Sequence, residues 1–258
     1  MPSLSAVPLP GGMRGAGALR RVGAILRREL RAYFTTPVAF IVVIFFLVVT
    51  SGWFFFAEQF FAQDLATLRG YFSLWPIVFI LLLPALTMRS WAEERRQGTA
   101  EILLTLPARE RELVAGKFGA ALALLLLLAA LTLPVPLLVA PMGAFEPAQI
   151  AMEYLGVLLL GCAGIAAGQF VSALSANQIS AFLFSVAFML VITLIGQIPS
   201  VAVLPGWLAA ALSWISFDFH FDSFSKGVLD TRDVLYFLVL TAGFLMVTTK
   251  VLFVRRFR

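Results

Sequence analysis

The stretch MRSWAEERRQGTAEILLTLPARERELVAGK, residues 88–117, lies between two long uncharged segments of the chain. It holds 11 of the 33 charged residues of a protein that is 61% hydrophobic, with a mean hydropathy of +0.96. A polar segment of this density between apolar segments is expected to lie in water. It therefore indicates a docking surface for a soluble partner, and it divides the chain into membrane-spanning segments on either side.

The composition indicates an integral membrane protein. Only 13% of the 258 residues are charged, whereas soluble domains have about a quarter. The net charge of +5 does not indicate nucleic-acid binding, because the basic residues cluster at the ends of the apolar segments. A single cysteine, Cys162, excludes an internal disulfide, and a single histidine, His220, excludes a cluster of histidine ligands. We interpret His220 as a polar residue in an outer loop, and we do not favour a metal site at Asp218, His220 and Asp222.

Six segments have the roughly 20 apolar residues that a membrane helix needs. They are residues 38–57, 71–88, 118–142, 154–176, 179–198 and 234–254. Residues 17–258 are thus predicted to form one all-α membrane domain. Residues 1–16, rich in Pro, Gly and Ser, are predicted to be a disordered tail. Both Met1 and Met13 remain candidates for the start of the chain.

The distribution of basic residues sets the predicted orientation. With six spans and the N-terminus inside, 16 of the 19 basic residues lie on the inner side, at residues 14–31, 89–117 and 250–258. This asymmetry follows the positive-inside rule and places both termini in the cytoplasm. A seventh apolar segment, residues 201–217, would move the basic C-terminal tail outside. We therefore predict that residues 204–216 form a re-entrant or surface helix on the outer face between spans five and six.

Residues 19–34 have the periodicity of an amphipathic helix. Leu19, Val22, Leu26, Leu30 and Tyr33 fall on one stripe. The opposite face carries five arginines: Arg20, Arg21, Arg27, Arg28 and Arg31. The pattern predicts a helix in the inner interface with its arginines toward anionic headgroups. Glu29, at the edge of the apolar stripe, is expected to have a cationic or amide partner. Thr36-Pro37 is expected to end this helix and begin the first span.

The sequence lacks the motifs of the common membrane enzymes. It has no Gly-x-Ser-x-Gly elbow, and one histidine cannot form the His-Glu-x-x-His zinc motif. No carboxylate lies near the middle of a predicted span, which argues against an ion-coupled carrier. Gly116-Lys117 is not part of a phosphate-binding loop, because no glycine precedes it in register. The chain is therefore predicted to be non-catalytic and to bind no cofactor or metal.

The segment from Trp91 to Leu106 has two interpretations from its residues alone. Thr99 can cap a short helix that Pro107 ends, with Ile102 and Leu103 on the membrane side. The alternative is a solvated loop whose exposed ion pairs contribute little to stability.

This segment resembles the first cytoplasmic loop of type-2 ABC transporter permeases, the export-type membrane subunits. That family has a Glu-Glu-Arg-x-x-Gly-Thr-x-Glu-x-Leu-Leu-x-x-Pro stretch followed by Gly-Lys at the next span. The chain matches at Glu93, Glu94, Arg95, Gly98, Thr99, Glu101, Leu103, Leu104, Pro107, Gly116 and Lys117. Residues 27–40 resemble the interfacial connecting helix and first-span entry of the family. The segment FDSFSKGVLDTRDVLYFLVLTAGFL, near the end of the chain, resembles the outer loop and last span of its gliding-motility, GldF-like branch.

The resemblance implies a subunit that works with ATP-binding partners. Two permeases, identical or related, would bind two cytoplasmic ATP-binding subunits, which hold the ATP and Mg²⁺. A coupling helix would contact the ATPase through Glu93, Glu94, Arg95, Arg96, Gly98, Thr99, Glu101, Leu103 and Leu104. The cargo would be lipid-like or amphipathic, and the location would be the bacterial inner membrane. Two alternatives remain: a non-transporting scaffold subunit, as in motility machinery, and a membrane-embedded lipid-modifying enzyme.

Overall fold

The computed structural model describes residues 11–57, 68–98, 109–139, 141, 146–201 and 204–256. Every regular element within those ranges is helical, so the predicted all-α class is confirmed there. The α-helices are Gly11–Thr35, Pro37–Gly52, Arg69–Ser73, Trp75–Thr87, Arg89–Arg96, Glu110–Thr132, Pro134–Val139, Pro147–Leu174, Gln178–Leu194, Ile198–Val201, Gly206–Ile215, Phe217–Ser225 and Thr231–Arg256. A π-helical turn, Trp53–Ala57, extends Pro37–Gly52, and a 3₁₀ turn, Ile195–Gln197, precedes Ile198–Val201.

Six of the described helical stretches are long and apolar enough to cross a membrane, as predicted. Spans 1 to 6 are Ala39–Ala57, Arg69–Arg96, Glu110–Val139, Pro147–Leu174, Gln178–Ser200 and Thr231–Val254. Spans 2, 3 and 4 extend beyond their predicted ranges by about two turns at one end. In spans 2 and 3 the extension carries charged residues, which hydropathy alone assigns to a loop. The chain is a multi-pass membrane protein.

Spans 2 and 4 form the centre of the bundle. In their most apolar 18-residue stretches, 72% of span 2 and 67% of span 4 is buried, against 17% of span 6. Glycines of span 4 allow the close approach: a Cβ at Gly164 would lie 2.3 Å from Leu83 Cδ1, and one at Gly168 would lie 2.1 Å from Thr87 Oγ1. The Gly-x₃-Gly pattern of span 4 therefore serves packing within the chain.

The N-terminal helix, Gly11–Thr35, begins within the segment that the sequence analysis assigns to the disordered tail. Thr36 is extended and Pro37 is the first residue of the next helix, so the predicted break is confirmed. The N-terminal helix packs on the first turns of span 3, where a Cβ at Gly116 would lie 2.6 Å from Ile25 Cγ2. Leu26 of the apolar stripe faces Gly119 of span 3, whereas Leu19 is 76% exposed, and the interfacial position of the helix stays a prediction. We call the end of the bundle that holds this helix and residues 89–98 and 109–117 the charged end.

Two helices, not one, lie between spans 5 and 6 at the opposite end. Gly206–Ile215 lies within residues 204–216 and has no buried residue, and its place at the outer membrane surface stays a prediction. The second helix, Phe217–Ser225, was not predicted, and it packs on span 4, where Gly156 faces Phe224. Extended Ser216 separates the two helices, and its hydroxyl donates to the carbonyl of Thr193 at 2.9 Å. This hydrogen bond fixes the position of the break against span 5.

Candidate functional site at the charged end

Lys117 joins three helices at the charged end. Its side chain is only 2% exposed, and its Nζ lies 2.8 Å from Glu94 Oε1 and 3.1 Å from Glu29 Oε1. The ammonium group also lies 4.9 Å from the centre of the Trp91 ring, within the range of a cation–π interaction. Glu29 belongs to the N-terminal helix, Glu94 to Arg89–Arg96 and Lys117 to span 3. The buried ammonium group of Lys117 thus connects the N-terminal helix, the helix Arg89–Arg96 and span 3.

Arg28 completes this charged cluster. Its guanidinium donates to Glu29 at 2.7 Å and to Glu94 at 3.1 Å, so two cations face two carboxylates. Burial raises the pKa of Glu29, but the charge of Lys117 and the hydrogen bond from Arg28 lower it by more, and the net pKa lies below the usual value. Glu29 therefore stabilises the fold at neutral pH, and this contribution is lost as the pH falls through the lowered pKa. The expectation that Glu29 has a cationic partner is confirmed.

Arg89–Arg96, which we call the base helix, is bound to the end of span 4. The Arg95 guanidinium donates to the carbonyls of Ala173, Leu174 and Ser175, with 2.8 Å to the last. These carbonyls end the helix of span 4, where a cation is electrostatically favourable. Arg95 therefore anchors the base helix to span 4.

Ser172 connects the base helix to span 4 at a break in span 2. Met88 separates Trp75–Thr87 from the base helix. The buried Ser172 hydroxyl accepts from the backbone N–H groups of Trp91 (3.1 Å) and Ala92 (3.2 Å) and donates to the Met88 carbonyl (3.0 Å). All three bonds involve backbone at the break, so Ser172 fixes the position of the base helix against span 4.

Glu93 extends the connection to span 5. Its carboxylate accepts from the side-chain amide of Gln178, the first residue of span 5, and from Gln97 Nε2 at 2.6 Å. Spans 4 and 5 are joined by a short turn, as predicted, and Asn177 caps span 5 by accepting from the Ser180 N–H at 2.9 Å. The base helix therefore holds both helices of this hairpin.

The N-terminal helix has a second ionic attachment, to the start of span 3. Arg21 donates from Nε and Nη2 to the two oxygens of Glu112, both at 2.7 Å. Glu112 also accepts from the Arg109 backbone N–H, which caps the first turn of span 3. The two-pronged geometry fixes orientation as well as distance. All five arginines of this face are exposed, but Arg21 and Arg28 also form ion pairs with the protein, which the amphipathic pattern does not predict.

The predicted coupling residues fall into three groups. Glu93, Glu94 and Arg95 are bound to neighbouring elements. Arg96 and Gly98 are exposed. Thr99, Glu101, Leu103 and Leu104 lie outside the described residues. The base helix ends at Arg96, and Gly98 has a φ of +69°, a conformation that favours glycine. A single helix over residues 93–104 is therefore wrong, because the chain turns at Gly98.

The opposite end contains polar groups that the sequence analysis missed. His220 is fully buried, not in a loop: its Nδ1 lies 2.6 Å from Asp233 Oδ1 and its Nε2 lies 2.9 Å from the Trp214 carbonyl. Glu153, assigned to a loop, is fully buried in span 4 and accepts from Gln149 at 3.2 Å. The i, i+4 spacing of Gln149 and Glu153 was the available signal, but hydropathy placed the start of span 4 after both residues.

The comparisons with known proteins agree with this architecture. The family model described as ABC-2 family transporter protein matches residues 56–254, which include five of the six spans and the base helix. A search of curated protein sequences finds no match to the chain. The match covers most of the chain, including the segment 93–117 that carries the sequence resemblance. The chain therefore belongs to the ABC-2 transporter family, whose members are the membrane-spanning permease subunits of ABC transporters.

Proposed function

We propose that the chain is the membrane subunit of an ATP-driven exporter in the bacterial cytoplasmic membrane, with its charged end in the cytoplasm. The distribution of basic residues supports this orientation, because 16 of 19 belong to the sequence segments that are predicted to face the cytoplasm. ATP and Mg²⁺ would be bound by a separate ATP-binding subunit. The permease would supply the membrane pathway and receive mechanical work from that subunit.

The proposed contact with the ATP-binding subunit is the turn after the base helix. Arg96, Gln97 and Gly98 are exposed there, and the family motif continues beyond them into residues 99–104. The neighbouring Glu93, Glu94 and Arg95 would act differently from the sequence-based expectation. They would position the turn and pass on its movement, since their side chains bind the membrane domain.

The observation that carries the proposal is the convergence on the base helix. Lys117 joins it to the N-terminal helix and span 3, Ser172 and Arg95 join it to span 4, and Gln178 joins it to span 5. A displacement at residues 96–98 would therefore move four elements together. Packed and hydrogen-bonded helices transmit such displacements because they deform little.

The proposed assembly contains a second permease, identical or related. Large apolar side chains are exposed on the peripheral spans, such as Ile44 on span 1 (62%), Leu183 on span 5 (60%) and Val239 on span 6 (66%). Such faces are suited to lipid and to a second membrane subunit. A lipid-like or amphipathic cargo would fit a pathway with apolar walls. The cargo would have to bind two conformational states of the permease with different affinities, because otherwise the ATP-driven cycle would not transport it.

The test is association with an ATP-binding protein. Wild type should co-purify with its ATP-binding subunit, and Gly98→Trp and Arg96→Glu should each reduce the recovered ATPase about tenfold. Gly206→Trp is the matched control, because Gly206 also has open space around it but lies at the opposite end. If association survives both changes, the contact assignment is wrong. If no ATP-binding protein co-purifies with wild type, the proposed function is wrong.

A further inference from the structure

A cavity of about 490 Å³ lies beside the ionic joint at the charged end. Its walls come from the N-terminal helix, which contributes Ala32 and Tyr33, and from the base helix, which contributes Arg89 and Glu93. Arg89 directly follows the apolar part of span 2, so the cavity is at the level where a membrane surface would meet the bundle. A cavity at this depth is accessible to the polar groups of lipids.

Among the described residues, Arg89 is the cation of this cavity that has no ion-pair partner. Its Nε is buried without a hydrogen-bond partner, and it forms no ion pair with any residue in the described ranges. The other two cations of the cavity, Arg28 and Lys117, both face Glu29 and Glu94. A partly buried guanidinium without an ion-pair partner favours binding of an anion, because buried donors are usually hydrogen-bonded. Its planar set of N–H donors matches the oxygens of a phosphate.

Glu93 supplies the opposite charge four residues further along the same helix. Its carboxylate accepts only from the amides of Gln97 and Gln178 among the described residues, so no cation balances it there. Arg89 and Glu93 both line the cavity, and their positions are about 6 Å apart along the helix axis. They do not form a salt bridge with each other. The cavity thus presents an unpaired positive and an unpaired negative group side by side.

We propose that this cavity binds the zwitterionic headgroup of a phosphatidylethanolamine from the adjacent leaflet. Arg89 binds the phosphate, and Glu93 accepts hydrogen bonds from the primary ammonium group, which a short linker separates from the phosphate. A phosphatidylcholine has no ammonium N–H to donate to Glu93, and a phosphatidylglycerol has no cation. The bound headgroup would lie between the N-terminal helix and the base helix. The proposal rests on the position of the membrane surface at Arg89 and is independent of an ATPase partner.

The experiment uses the purified full-length chain, delipidated in detergent and without any ATP-binding protein. Phosphatidylethanolamine, phosphatidylcholine and phosphatidylglycerol with identical acyl chains are titrated, and bound lipid is counted by native mass spectrometry. Wild type should bind phosphatidylethanolamine at least fivefold more tightly than either other lipid. Equal binding of the three lipids would overturn the proposal without the use of any variant.

Variants then test the two assigned contacts. Arg89→Gln should weaken phosphatidylethanolamine binding about tenfold, and Glu93→Gln should abolish the preference over phosphatidylcholine. The charge-matched controls are Arg96→Gln and Glu146→Gln. Arg96 lies on the same helix but outside the cavity, and Glu146 is exposed at the opposite end of the helix bundle. Both variants should bind phosphatidylethanolamine as wild type does. Unchanged lipid binding in Arg89→Gln would overturn the proposal.

A competition experiment tests whether the ligand comes from the membrane. Soluble phosphoethanolamine should displace bound phosphatidylethanolamine only weakly, and competition as strong as that of the lipid would overturn the assignment to a membrane ligand.

Discussion

Lys117 shows how one residue determines the geometry of the charged end. It is almost completely buried, so its charge is tolerated only because Glu29 and Glu94 face it and Trp91 lies beneath it. Glu29 belongs to the N-terminal helix, whereas Glu94 and Trp91 both belong to the base helix. Removing the cation leaves the two carboxylates close together with Arg28 as the remaining counter-charge among the described residues.

We therefore expect Lys117→Met to destabilise the protein by about 3 kcal/mol, the usual cost of breaking a buried ion pair from one side. Thermal unfolding in detergent, followed by tryptophan fluorescence, measures this loss. Lys250→Met is the control, because Lys250 is exposed on span 6. The double variant Lys117→Met with Glu94→Gln should recover part of the loss, and a double variant no more stable than the single one would contradict the assigned pairing.

For single residues, the sequence predicts which side chains need a partner better than it predicts which residue that partner is. The need of Glu29 for a partner follows from its position at the edge of an apolar stripe. Its actual partner, Lys117, is 88 residues away, and no local pattern connects the two. The family motif includes Glu94 and Lys117, but only the structure shows that they contact each other. Arg89 appeared in the sequence as one charge among 11, and its lack of a partner is visible only in three dimensions.

At the scale of elements, the N-terminal helix and span 3 form the closest contact at the charged end. Gly116 faces Ile25, and Gly119 faces Leu26, whose Cδ1 would lie 2.9 Å from an added Cβ. Because Ile25 is β-branched and stiff, it cannot easily move aside for a side chain at Gly116.

Gly116→Val should therefore lower stability by about 2 kcal/mol through overpacking and should loosen the N-terminal helix. The comparison is with Gly243→Val in span 6, where an added Cβ meets nothing within 4 Å. Thermal unfolding of both variants in the same detergent is the measurement. Equal stability of the two variants would show that the N-terminal helix does not pack on span 3 in this way.

The pair formed by His220 and Asp233 connects the two opposite-end helices to span 6. His220 bonds to Asp233 of span 6 and to the Trp214 carbonyl, and its ring stacks on Tyr236 with centroids 3.8 Å apart. Both partners are buried, so removal of the imidazole leaves a carboxylate without compensation.

We expect His220→Phe alone to cost about 3 kcal/mol, and His220→Phe combined with Asp233→Leu to cost clearly less, because the double variant buries no unpaired charge. A double-mutant cycle on the thermal unfolding midpoint tests this expectation. Additive losses would show that the two side chains do not interact.

The helices were predicted from the sequence better than any other feature of this protein, except for the charged ends of spans 2 and 3 and the helix Phe217–Ser225. Long apolar runs identified all six spans, because the membrane requires them. Charged turns at the ends of spans 2 and 3 were assigned to loops, since hydropathy cannot show that Arg95 donates to carbonyls of span 4 or that Lys117 is paired with carboxylates of two other helices. The helix Phe217–Ser225 was missed because its burial depends on contact with Gly156 in span 4, a long-range feature.

For the whole molecule, the six-span layout and the family agree, and the orientation in the membrane remains a prediction from the positive charges. The base helix binds the N-terminal helix and spans 3, 4 and 5, and it follows Trp75–Thr87 of span 2 after the break at Met88. This connectivity would allow one contact in water to move most of the membrane domain. The account therefore requires that the turn after the base helix touches an ATP-binding subunit.

Site-specific photo-crosslinking in intact membranes tests this requirement most directly. A photoreactive phenylalanine analogue replaces Gln97, which is exposed in that turn, or Trp207, which is 74% exposed at the opposite end. The account predicts a crosslink from position 97 to the ATP-binding subunit and none from position 207. A crosslink from position 207, or none from position 97 in a complex that still co-purifies, would contradict it.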